Sequence, residues 1–175
     1  MNHPTPGTHD ADAPGFTARF TVDQSPDAVF DAIGNVRGWW SADITGSADA
    51  VGDRFVHRVR DLHRCEIAVK QMIPGKKIAW TVLDNHFSFT ADTTEWTGTD
   101  IVFGIARAGD RTELRFTHVG LVPDYECYDV CSDGWTTYLD SLRELVTTGT
   151  GRPYAGEART ASERVLMDGS GDAAA

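Results

Sequence analysis

YDVCSDGWTTYLDSLRELV, residues 128–146, decides how the rest of the chain is read. Tyr128, Cys131, Trp135, Tyr138, Leu142 and Leu145 recur at alternating steps of three and four, and Leu139 and Val146 widen the stripe. Such spacing gathers these side chains on one face of an α-helix. It predicts a long C-terminal helix that starts soon after Pro123, takes Asp124 as its cap and stops at Gly149. Gly134 lies inside that helix, where glycine costs about 1 kcal/mol relative to alanine. That cost points to close packing or to a bend.

Upstream of this helix the chain alternates. In FTARFTV, residues 16–22, Phe16, Ala18, Phe20 and Val22 fall on one face and the polar residues on the other, as in a half-buried strand. SPDAVFDAIG follows, with Ser25 as N-cap, Pro26 in the first turn and Gly34 at the end of a short helix. A second helical turn is expected around Val36–Ser41, carrying Trp39 and Trp40. Val51–Val59, Leu62–Ile73 and Lys77–Leu83 read as a meander, turned at Pro74-Gly75. His86–Thr90 is a candidate short strand. Glu95–Ala106 and Arg111–His118 form the last pair, joined at Gly109-Asp110.

The expected fold is therefore α+β: a curved antiparallel sheet of six or seven strands wrapped around a long C-terminal helix, with two short helices between strands 1 and 2. One helix cannot fill a wide curved sheet, so a cavity between them is expected. Strand parity says what lines it. Phe55, His57 and Val59 share a face, as do His63, Cys65, Ile67 and Val69. Ile78, Trp80 and Val82 share another, as do Ile101, Phe103 and Ile105, and Leu114, Phe116 and His118. Parity sends Trp96 to the outer face.

The length of 175 residues suits one domain with a real core, and 41% hydrophobic residues suit a globular chain. A net charge of −10 is the wrong sign for nucleic acid or an anionic membrane. No apolar run approaches the ~20 residues of a membrane helix. The opening MNHPTPGTHDADAPG has neither the charged nor the apolar region of a secretory signal, and three cysteines are few for a stapled secreted domain. A soluble cytoplasmic protein with reduced thiols is expected, as a monomer or homodimer. Residues 1–15 are expected as a disordered tail, 16–149 as the domain and 150–175 as a flexible C-terminal tail.

The segments FTVDQSPDAVFDAI, GWW, VGDRF, PGKKIAW, EWTGTDIVF and FTHVGL, followed by GW and YLDSLRELV, occur in that order. In this the chain resembles the SRPBCC superfamily of START-like, birch-pollen-allergen-like proteins, and within it the branch named for homology to the activator of the heat-shock-protein ATPase. The resemblance implies the helix-grip fold and a deep hydrophobic cavity between sheet and C-terminal helix. It says much less about function, because one fold hosts many activities.

Four chemistries compete for the cavity. His63, His118, Cys65, Cys127 and Cys131 are acceptable metal ligands, but the C-x-x-C spacing of structural zinc is missing, so neither metal nor cofactor is expected. Binding of a small hydrophobic or aromatic molecule is the favoured expectation. Trp39, Trp40, Trp80, Phe103, Phe116 and Trp135 would supply aromatic surface, with Cys65 and Cys131 as lining. His57, His63, His118 and Tyr138 would supply polar contacts, His118 foremost. The alternative is a cyclase or dehydratase acting on such a ligand, with His118 as the catalytic candidate. A co-chaperone role rests on the branch name alone.

Overall fold

The structure, a computed structural model, describes residues 14–172. All but the last two residues of the expected N-terminal tail lie outside that range. The elements run β1 (Gly15–Val22), α1 (Pro26–Gly34), α2 (Val36–Trp39), β2 (Thr45–Gly46), β3 (Arg54–Val59), β4 (His63–Ile73), β5 (Lys77–Phe87), β6 (Asp100–Ala108), β7 (Arg111–Val119), α3 (Tyr128–Thr148) and α4 (Ala161–Asp172). The strands form one antiparallel seven-stranded sheet in the order β1-β7-β6-β5-β4-β3-β2. Chain order and sheet order agree except that β1 closes on β7. The sheet is curved, and α3 lies across its apolar face, giving the helix-grip fold.

Local chemistry explains most boundaries. Ser25 Oγ accepts the Ala28 N–H at 3.1 Å, and Pro26 opens α1. At Pro74-Gly75 the Lys76 N–H returns to the Ile73 carbonyl at 2.9 Å, and Gly75 takes a φ of 69°, the left-handed region that a Cβ disfavours. Gly149 stops α3 in the same region, its N–H bonded to the Leu145 carbonyl. The register of β4 against β5 shifts between Glu66 and Ile67 and again between Val69 and Gln71. Such irregularities bend a sheet and strengthen its twist.

Several expectations need correction. The strand expected from Val51 begins at Arg54, because residues 51–53 turn. His86 and Phe87 continue β5, and residues 88–90 are bends, not a separate strand. The strand expected from Glu95 begins at Asp100; residues 91–98 are bends and turns. Strand parity therefore does not apply to Trp96, which points inward and is 4% exposed. Asp124 does not cap α3. The Glu95 carboxylate instead accepts the N–H groups of Glu126 and Cys127 at 2.9 and 3.1 Å, and the helix starts at Tyr128. A carboxylate borrowed from a distant loop thus satisfies donors near the helix start.

Among the described residues beyond Gly149, several are anchored to the domain where a flexible tail was expected. Ser41 and Tyr154 form a parallel bridge, Tyr154 N–H donates to the Trp40 carbonyl at 2.8 Å, and Tyr154 and Met167 are buried. The Glu163 N–H donates to Thr160 Oγ1 at 2.9 Å, which caps α4. Small polar composition hid two buried anchors and a cap.

The inward faces follow the alternation. Phe55, His57, Cys65, Ile67, Trp80, Ile101, Phe103, Leu114, Phe116 and His118 are all 2% exposed or less. They meet Val29, Ile33, Val36 and Trp39 from the short helices and Trp135, Tyr138, Leu139 and Leu142 from α3.

Candidate functional site

Between sheet and α3 the interior has a solid end and an open end. At the solid end Trp39, Trp80, Phe55, Phe103 and Phe116 pack ring on ring. Trp39 and Trp80 stack at 6.5 Å, and Trp80 meets Phe103 edge-on at 4.8 Å. The space expected to hold a ligand is filled here, since each large ring buries ~150–250 Å². At the open end a cavity of about 70 Å³ remains, lined from β3 and β4 by His57, Val59 and His63. The end of β5 contributes Phe87 and the stretch after it Phe89 and Trp96; α3 contributes Val130, Cys131, Gly134, Trp135 and Tyr138. Trp40 and Glu163 complete the wall.

Of the expected binding residues, Trp40, His57, His63, Cys131, Trp135 and Tyr138 come together on this wall. Trp39, Cys65, Trp80, Phe103, Phe116 and His118 lie elsewhere in the core, off the wall. His118 has both ring nitrogens engaged. The Trp135 indole N–H donates to Nδ1 at 3.1 Å, so the ring proton sits on Nε2, 2.8 Å from Thr99 Oγ1. Thr99 in turn donates to the Trp96 carbonyl at 2.6 Å. His118 thus ties α3 to the turn that carries Trp96. It has no nitrogen free for a ligand.

His57 and His63 differ. His57 Nδ1 and His63 Nε2 are buried without a hydrogen-bond partner among the described residues. Their rings are 5.7 Å apart; His57 lies 4.6 Å from the Trp40 ring and His63 4.4 Å from Phe87. Burial pushes the His57 pKa down to about 3. Burial, and then the nearby His57 and His118, hold His63 well below its ordinary value. Both imidazoles are neutral at pH 7, and each carries a polar atom with nothing to bond.

Two of the thiols are held in the protonated form. Burial raises Cys65 to about 12, and burial followed by the neighbouring Cys127 raises Cys131 well above the usual thiol range. All three cysteines are free. Among the described residues no group of three or more His, Cys, Asp or Glu is gathered as a metal site.

Gly134, Trp96, Phe87, Phe89 and Glu163 were not among the expected site residues. Gly134 faces the cavity, and a Cβ built there meets nothing within 4 Å. Its cost in the helix reflects an empty space, neither a bend nor a tight contact. Glu163 accepts a hydrogen bond from the Tyr138 hydroxyl at 2.9 Å and from the Arg159 N–H at 2.7 Å. Its sequence signal was Thr-x-x-Glu at 160–163, a spelling typical of helix starts.

A family model described as Activator of Hsp90 ATPase homolog 1-like protein matches residues 23–147. Among solved structures, the Aha1 dimer from Colwellia psychrerythraea is 25% identical, with 79% of this chain and 99% of that one covered, at a TM-score of 0.64. Protein MLL2253 from Mesorhizobium loti is 18% identical over 75% of this chain and 96% of its own, at a TM-score of 0.59. CalU16 from Micromonospora echinospora is 15% identical over 76% of each chain, at 0.52. No match was found among curated proteins. Among the described residues no helix is long and apolar enough to cross a membrane.

Proposed function

The chain belongs to the activator of Hsp90 ATPase homolog 1-like family, and from that premise we propose that it binds a small, largely apolar molecule in the cavity between β3, β4 and α3. The carrying observation is the two unpartnered imidazole nitrogens, His57 Nδ1 and His63 Nε2, on a wall that is mostly aromatic and apolar. A buried polar atom without a partner costs about 1–3 kcal/mol, which a bound molecule with a suitable polar group recovers. An apolar pocket with a few converging polar groups is the general form of a small-molecule site.

The size of the space narrows the ligand. A water-sized group needs roughly 10–15 Å³ by this measure, so about 70 Å³ admits some five to seven heavy atoms. The occupant is a compact molecule or the end of a longer one. A fused polycyclic ligand requires the wall to open. Three free, buried thiols support a reducing, cytoplasmic setting.

The test is a calorimetric and thermal-shift panel of compact fragments, phenol and other small aromatics among them, against the native chain and Gly134→Met. Binding to the native chain, abolished when a methionine fills the cavity, is the expected result. Fragments that bind both proteins alike would refute the site.

A further inference from the structure

We propose that the cavity selects a small organic cation, an alkylated ammonium head, over a neutral molecule of the same shape. This inference rests on the cavity reading above and adds the charge of the occupant. Trp40, Phe87, Phe89, Trp96, Trp135 and Tyr138 contribute six aromatic rings to one wall. Aromatic faces carry negative potential, and several rings around one space attract a cation, most strongly where water is scarce. Glu163 is the one charged side chain on that wall among the described residues, and it is an anion. Arg159 bonds to Glu163 through its backbone N–H; its guanidinium lies behind the wall, near enough to act on Tyr138, but does not line the cavity. The remaining polar side-chain groups are imidazole and indole nitrogens, a hydroxyl and a thiol, none of them a cation at neutral pH.

An anionic ligand would meet Glu163 with no positive partner on the wall. A neutral ligand would gain nothing from the carboxylate's charge. A trimethylated ammonium with its first methylene has five heavy atoms, which suits a space for roughly five to seven. Its methyl groups are apolar enough for the rings, and its charge faces a carboxylate. The formal charge of −10 adds a long-range pull in the same direction.

Glu163 lies on α4, beyond the residues 23–147 that the family model matches. The carboxylate is therefore supplied by this chain's C-terminal segment, while the six rings lie within the matched residues.

The experiment compares three probes by titration calorimetry: choline, its neutral isostere 3,3-dimethylbutan-1-ol, and phenol. Choline should bind the native chain about tenfold or more tighter than the isostere. Glu163→Gln, which keeps an acceptor for Tyr138, should lose about tenfold for choline and change little for the isostere. Equal affinity for choline and the isostere overturns the cation inference and leaves the cavity reading intact. So does binding of phenol without binding of choline. If none of the three binds, both readings fall. The comparison of probes on the native chain needs no variant to fold.

Discussion

His118 and His57 are imidazoles of nearly equal burial, at 0% and 2% exposure, on inward-facing positions of the same sheet. One is finished and the other is not. His118 accepts from Trp135 and donates to Thr99, and it packs edge-on against the rings of Trp96 and Trp135. His57 has an unpartnered Nδ1, and a cavity beside it. Burial alone therefore does not separate a structural histidine from one proposed to meet a ligand. Completion of the hydrogen-bond set does, because a core polar group without a partner is costly unless something else supplies one.

Acid should produce the largest effect, and it should treat the two histidines alike. Their pKa values fall from about 6.5 in the unfolded chain to about 3 in the fold. The unfolded chain then binds more protons between those limits, so their contribution is complete above pH 6.5 and drains away as pH falls toward 3. Each such imidazole should remove about 1.4 kcal/mol per pH unit in that window. Urea midpoints measured from pH 7 to 4 should show the fall, and His57→Leu or His118→Leu should each make it shallower. A flat profile would mean that the rings are not held neutral.

Trp135→Ala comes next. It removes a 2%-exposed indole from the centre of the ring cluster and leaves His118 Nδ1 without its donor. A loss of about 3–5 kcal/mol by denaturant unfolding is expected. A loss under 1 kcal/mol would show that the two ends of the interior are equally loose.

A sharper contrast follows from replacing each histidine by leucine at neutral pH. His118→Leu orphans the Trp135 N–H and should cost about 1–3 kcal/mol. His57→Leu removes an atom that already lacks a partner, so its cost should be smaller, with ligand binding lost. Equal costs would erase the distinction between core and site. The smallest effect has the opposite sign. Gly134→Ala adds a methyl to empty space in mid-helix and should stabilise by about 1 kcal/mol while weakening ligand binding.

Sequence periodicity revealed the sheet, the long helix and the inward faces, because side-chain direction in a regular element is a local property. It did not reveal Trp96, which sits in turns where parity has no meaning. Nor did it reveal Glu95 as the partner for the start of α3, since loop and helix meet only in three dimensions. His118 was legible as inward-pointing, but the indole that satisfies it was not. The small volume of the cavity depends on how six bulky rings happen to interlock, and no pattern along the chain encodes that. Gly134 stood out in the sequence but pointed to close packing or a bend, whereas it marks a place where no side chain fills the space.

The ring contacts have an optical consequence. Trp39, Trp40 and Trp80 touch one another, Trp40 touches Trp135, and Trp135 touches Trp96, so all five tryptophans of the chain form one connected array. Excitation absorbed by any indole can migrate along that array to Trp40, Trp96 or Trp135, the three beside the opening. Emission from the whole molecule should then respond to whatever occupies a space that only three of its fluorophores border.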